Sequence, residues 1–184
     1  MCWQDARAFL THPRAAFKAK QKASLEEAFK YLLVMAIPLA ILLGAVGSVA
    51  SFSPAGFAAL AVVSYIATVL FMVIGGLWLH LWAYVFGARK GLEKTLRSSW
   101  YAGTPSYVLG WIPVVNLAAL AWELVLNGMG LQELQGMSAG RAAAAVIVAL
   151  AVLLAVVVAF IAAIISTIGL GGLAGTFLPG TFSY

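Results

Sequence analysis

Few side chains in this sequence could bind or move a proton, and one of them stands apart. Glu123 is the only charged residue between Ser98 and Gln132. In a membrane, an ionised carboxylate at mid-span costs about 2.5–3.5 kcal/mol on insertion scales, and such groups face a bundle interior or a water-filled cavity. Two roles fit: a proton- or cation-binding carboxylate, or a structural one hydrogen-bonded to Thr68, Ser64 or Asn116. His80 lies among Trp78, Trp82 and Tyr84. It reads either as a switch titrating near neutral pH or as an interfacial histidine in an aromatic belt. With His12 it leaves no metal-ligand spacing, and Cys2 is the single cysteine. There is no nucleophile–base pair, phosphate loop or carboxylate pair. No enzymatic activity, metal or cofactor is expected.

A third group is basic. Arg14, Lys18, Lys20 and Lys22 could meet anionic lipid headgroups, at about 1 kcal/mol per charge near a surface. Trp3, Phe9, Leu10 and Phe17 would anchor a short interfacial helix. The same charges could equally be a topology signal with no further role.

The elements that must hold these residues follow from composition. The chain has 184 residues, 64% hydrophobic and 9% charged, with mean hydropathy +1.01. Ordinary soluble domains carry about 25% charged residues, and a domain of roughly 150 residues still leaves about a third of its chain surface in water. A soluble fold is excluded, as is disorder, which requires low hydrophobicity. An all-α integral membrane protein remains. Charge-free stretches of 58, 25 and 43 residues separate Lys30 from Arg89, Arg97 from Glu123, and Arg141 from the C-terminus. A spanning helix needs about 20 apolar residues.

Ser24-Leu25-Glu26-Glu27 fits a capping box that opens the first span. Pro54, after Ser51-Phe52-Ser53, suits the start of a second span, which runs from about Gly56 to Phe86. Pro105, Gly110 and Pro113 interrupt the next stretch. The expectation is a short Pro-broken hairpin: a third span to about Gly110, and a fourth from Pro113 to about Leu131. A last span runs to about Ile168, ended by Gly169–Gly172. A single span in place of the hairpin is the rival. The five-span count with a cytoplasmic N-terminus places all 11 basic residues inside, as the positive-inside rule asks. The C-terminus then lies outside. The +5 net charge thus reads as a topology signal rather than a nucleic-acid surface. The expected division is a cytoplasmic basic segment (1–24), a five-helix domain (25–168) and an uncharged Gly/Pro-rich tail (169–184).

The run Gly87-Ala-Arg-Lys-Gly91, then Thr95-Leu96 and Ser99 to Pro113, resembles the Yip family of Rab/Ypt-interacting membrane proteins. Tyr101, Thr104, Pro105 and Pro113 match its Tyr-x-x-Thr-Pro element and following proline. Trp122 is similar to its fourth span, and Leu10-x-x-Pro13-x-x-x-Phe17 to the start of short prokaryotic members. The resemblance covers roughly residues 9 to 168. It implies five membrane helices, a cytoplasmic N-terminus and a non-enzymatic role in trafficking or membrane organisation. Partners would be the bilayer, including anionic lipids, and other membrane proteins or further copies of the chain. Only about 24 residues precede the first span, which argues against GTPase binding. A small transporter or channel using Glu123 is the alternative.

Overall fold

The computed structural model describes residues 2–49 and 53–177, with side chains for residues 3–49 and 53–166. The chain divides into two compact units, Met1–Ile147 and Val148–Tyr184. The helices are α1 (Cys2–Thr11), α2 (Pro13–Ala19), α3 (Leu25–Ser48), α4 (Pro54–Val85), α5 (Leu92–Ala102), α6 (Thr104–Leu109), α7 (Pro113–Gly130) and α8 (Ala139–Phe177). One π-helical turn, Leu131–Gln135, follows α7. No strand occurs among the described residues.

Local chemistry sets the starts. Ser24 Oγ accepts from the Glu27 backbone N–H at 3.1 Å, which satisfies one orphan donor of α3. The reciprocal arm of the capping box is diverted, because Glu27 Oε1 accepts from Lys20 Nζ at 2.7 Å. Ser53 Oγ accepts from Gly56 N–H at 3.3 Å, with Pro54 at the first position of α4. Ser51 and Phe52 of that turn lie outside the described residues.

Among the described residues, four helices are long and apolar enough to cross a membrane: Leu25–Ser48, Pro54–Val85, Pro113–Gln135 and Ala139–Ser166. This corrects the expectation of five. The segment expected as the third span is two short helices, α5 of 11 residues and α6 of 6 residues, parted at Gly103. Pro105 is the cause, since it has no N–H for the Tyr101 carbonyl and would clash with it in a continuous helix. The Pro-broken hairpin itself is present. The end of α7 returns to the start of α5: Gln135 Oε1 accepts from Lys90 N–H at 3.0 Å, and its Nε2 donates to the Gly91 carbonyl at 2.7 Å. A second correction concerns α8, which continues through Gly169–Gly172 to Phe177. Glycine lowers helix propensity by only about 1 kcal/mol, too little to stop an otherwise apolar helix. The tail beyond Phe177 lies outside the described residues.

A third correction concerns the N-terminus. Phe9 and Phe17 are fully buried, so they are core residues of the protein rather than lipid anchors. Phe9 stacks on Tyr101 with centroids 5.0 Å apart and meets Phe17 edge-on at 4.9 Å. Tyr31 packs on Tyr101 at 5.1 Å. Only Trp3 of the expected anchors is broadly exposed, with Leu10 partly so. Gly130 permits this packing: a Cβ there would come within 2.1 Å of Ser98 Oγ and 2.9 Å of the Phe17 ring. Of the pair Gly75-Gly76, Gly76 lies against Leu96 of α5 and Gly75 faces open space.

Candidate functional site

The helix break is built from the Tyr-x-x-Thr-Pro element. In an unbroken helix the Tyr101 carbonyl would accept from residue 105, which is proline. Thr104 Oγ1 donates to it instead, at 2.6 Å. The Trp100 carbonyl likewise accepts from Tyr107 Oη at 3.2 Å. Tyr31 Oη lies 2.7 Å from Thr104 Oγ1. Since the Thr104 hydroxyl proton is committed, Tyr31 is the donor of that pair. The Tyr101 and Trp100 carbonyls are therefore satisfied inside the protein, as a low-dielectric site requires. Tyr101, Thr104 and Pro105 are fully buried. Pro113 opens α7, and Trp122 faces outward on it. The motif residues thus shape a packing kink.

Just past the break, Ser106 Oγ donates to Glu123 Oε2. Neither Thr68, Ser64 nor Asn116 makes the bond expected of them, and Ser106 went unread. It stands two residues beyond Thr104, and only the kink turns it toward α7. Asn127 Nδ2 donates to the Glu123 carbonyl at 3.1 Å. Glu123 lines a cavity of about 350 Å³ between α3, α4, α6 and α7. Its walls are apolar at Leu39, Leu43, Phe71, Met72 and Leu120, with four polar groups: Thr68, Ser106, Asn116 and Glu123. Asn116 and Glu123 are thus brought together. His80 is elsewhere, its Nδ1 2.9 Å from Thr95 Oγ1, which also accepts from Gln135 Nε2 at 2.9 Å.

At the opposite extreme from this cavity in polarity is the charged end of the first unit. Arg97 is 1% exposed. Its Nη2 donates to the carbonyls of Lys20 (2.5 Å) and Gln21 (3.1 Å), and its Nη1 to Glu93 Oε1 at 3.4 Å. Lys20 Nζ donates to Asp5 Oδ2 at 3.0 Å and to Glu27 at 2.7 Å, and lies 5.8 Å over the Tyr101 ring. Burial pushes the Lys20 pKa down, but the bonds to Glu27 and Asp5 outweigh it and the net shift is upward. Lys20 is thereby spent on the fold, whereas Arg14, Lys18 and Lys22 stand exposed. Lys94 Nζ reaches the Gln21 carbonyl at 3.3 Å, and Gln21 Nε2 the Glu133 carbonyl at 3.4 Å. Arg141 lies beside Gly87, where a Cβ would come 3.4 Å from its guanidinium. The three charged stretches of the sequence therefore meet at one end.

Among known families, the Yip1 domain model matches residues 7–161. No curated protein and no solved structure matches the chain.

Proposed function

The chain belongs to the Yip1 domain family, and from that premise we propose a non-enzymatic membrane protein that organises membranes or traffic by binding partners. The observation that carries this reading is the convergence of all three charged stretches at one end. By the positive-inside rule that end is cytoplasmic. Exposed Arg14, Lys18 and Lys22 give it a face for anionic lipids or an acidic partner. The partner in this reading is another membrane protein or a second copy of the chain. Four single helices are long enough to cross; in this reading the short α5 and α6 together carry the chain away from the charged end, α7 returns it there, and α8 then crosses, which assigns the C-terminus to the other side.

Two experiments test this. Reporter fusions should place the N-terminus inside and Tyr184 outside; an inside C-terminus overturns the orientation. A photo-crosslinker at Arg14 or Lys18 should give discrete protein or lipid adducts in cells. No adduct, with a protein that stays monomeric, overturns partner binding.

A second reading rests on Glu123 itself, an intramembrane carboxylate on this cavity and the kind of group that marks ion pathways and proton relays. Flux in reconstituted vesicles that is lost in Glu123→Gln supports it; no flux in either protein counts against it.

A further inference from the structure

We propose that the cavity between α3, α4, α6 and α7 is a binding site for a small amphiphile with a primary-amine head and an unbranched hydrocarbon tail. The volume, about 350 Å³, falls in the range of small-molecule sites, which are mostly apolar with a few polar groups that fix orientation. The division of the lining selects the ligand class. Leu39, Leu43, Met72 and Leu120 offer nothing to a hydrated inorganic ion, which needs several oxygens around it. They do offer a dry wall to a hydrocarbon tail.

The polar side is as specific. Among the described residues Glu123 receives a side-chain hydrogen bond from Ser106 alone, on Oε2. Glu123, Thr68 and Asn116 line the same cavity, and each side chain carries an oxygen able to accept a hydrogen bond. A primary ammonium carries three donors and no acceptor. Its charge would neutralise the carboxylate, which otherwise bears the cost of standing in an apolar medium. A fatty acid would set two carboxylates against each other, and an alcohol would bring no charge to offset that of Glu123. Access is lateral, since Phe71 is 63% and Leu120 41% exposed at the rim. At a rise of about 1.5 Å per residue, Leu39 lies some 21 Å along α3 from its start. The head group would therefore sit inside the hydrocarbon layer, reached from the lipid rather than from water.

The test uses the full-length protein in vesicles and a photoactivatable diazirine analogue of decylamine. Adducts should map to peptides holding Leu39, Phe71 or Leu120. Unlabelled decylamine should compete, with decanol weaker and decanoate ineffective. Labelling should fall at least about tenfold in Glu123→Gln, as expected when a bond to a charged partner is lost. It should fall likewise in Ala67→Phe, which fills the cavity without altering its polar groups. Equal competition by decanoate, or labelling unchanged in both variants, overturns the proposal. The site is shared with the flux reading, and the outcomes separate them: inorganic cation flux without amine labelling upholds that reading and sinks this one.

Discussion

Helices α4 and α5 lie against each other and distribute their side chains in opposite ways. On α5 every residue from Thr95 to Ala102 is buried, four of them polar: Thr95, Arg97, Ser98 and Ser99. On α4 the large apolar residues Val62, Val63, Ile66, Leu70 and Ile74 are exposed. In water this would be a protein turned inside out. In a bilayer the apolar face costs nothing, while each polar group must find its partner within the protein. The amino-acid types that specify the packing are therefore the polar and aromatic ones. The long apolar helices supply a surface for lipid or for another membrane protein.

That contrast can be broken first at Arg97. Arg97→Leu keeps most of the volume but leaves the Lys20 carbonyl without its charged donor and the Gln21 carbonyl with Lys94 alone. The expected loss is about 3 kcal/mol, read as a lower melting temperature in detergent. A protein as stable as the parent would show that α5 does not brace the N-terminal segment. Thr104→Val is next, at about 1–3 kcal/mol, because it removes the side-chain donor to the Tyr101 carbonyl and the hydroxyl bonded to Tyr31 Oη. Thr104→Ser should recover most of that stability.

A smaller effect is expected from Lys20. Its pKa is raised in the folded protein, so its contribution is complete below the unfolded lysine value and is lost as pH rises through the folded one. Stability of the parent should fall more steeply above pH 10.5 than that of Lys20→Met. Parallel curves would remove Lys20 from the account. The smallest effect is assigned to Val63→Ala on the exposed face of α4, within about 0.5 kcal/mol. A larger loss in membranes than in detergent would instead mark that face as a partner interface.

How much could be read without the structure follows the same contrast. Charges are rare in this chain, so their spacing alone located the long helices. Ser24 and Pro54 marked two helix starts, through local chemistry that needs no tertiary information. The reading failed where partners lie far apart in sequence. Phe9 and Phe17 carry the pattern of a surface helix, and nothing nearby announces Tyr101. Glu123 was singled out by its isolation, but its partner Ser106 depends on the direction the chain takes after Gly103. The third span was overcounted because Pro105 reads from sequence as a kink within one span, whereas the chain parts there into two helices of 11 and 6 residues. Gly169–Gly172 were read as a stop because glycine's cost was weighed without the apolar helix on either side.

The clamp of Arg97 on the Lys20 carbonyl also sets an order of events during synthesis. The two residues are 77 positions apart. At roughly 5–20 residues per second, α1 and α2 wait about 4–15 s after emerging before their binding surface exists. For that interval Phe9 and Phe17 have no protein core to enter. The N-terminal segment is thus first a ligand of whatever apolar surface is at hand, the bilayer or a chaperone, and only later a part of its own fold.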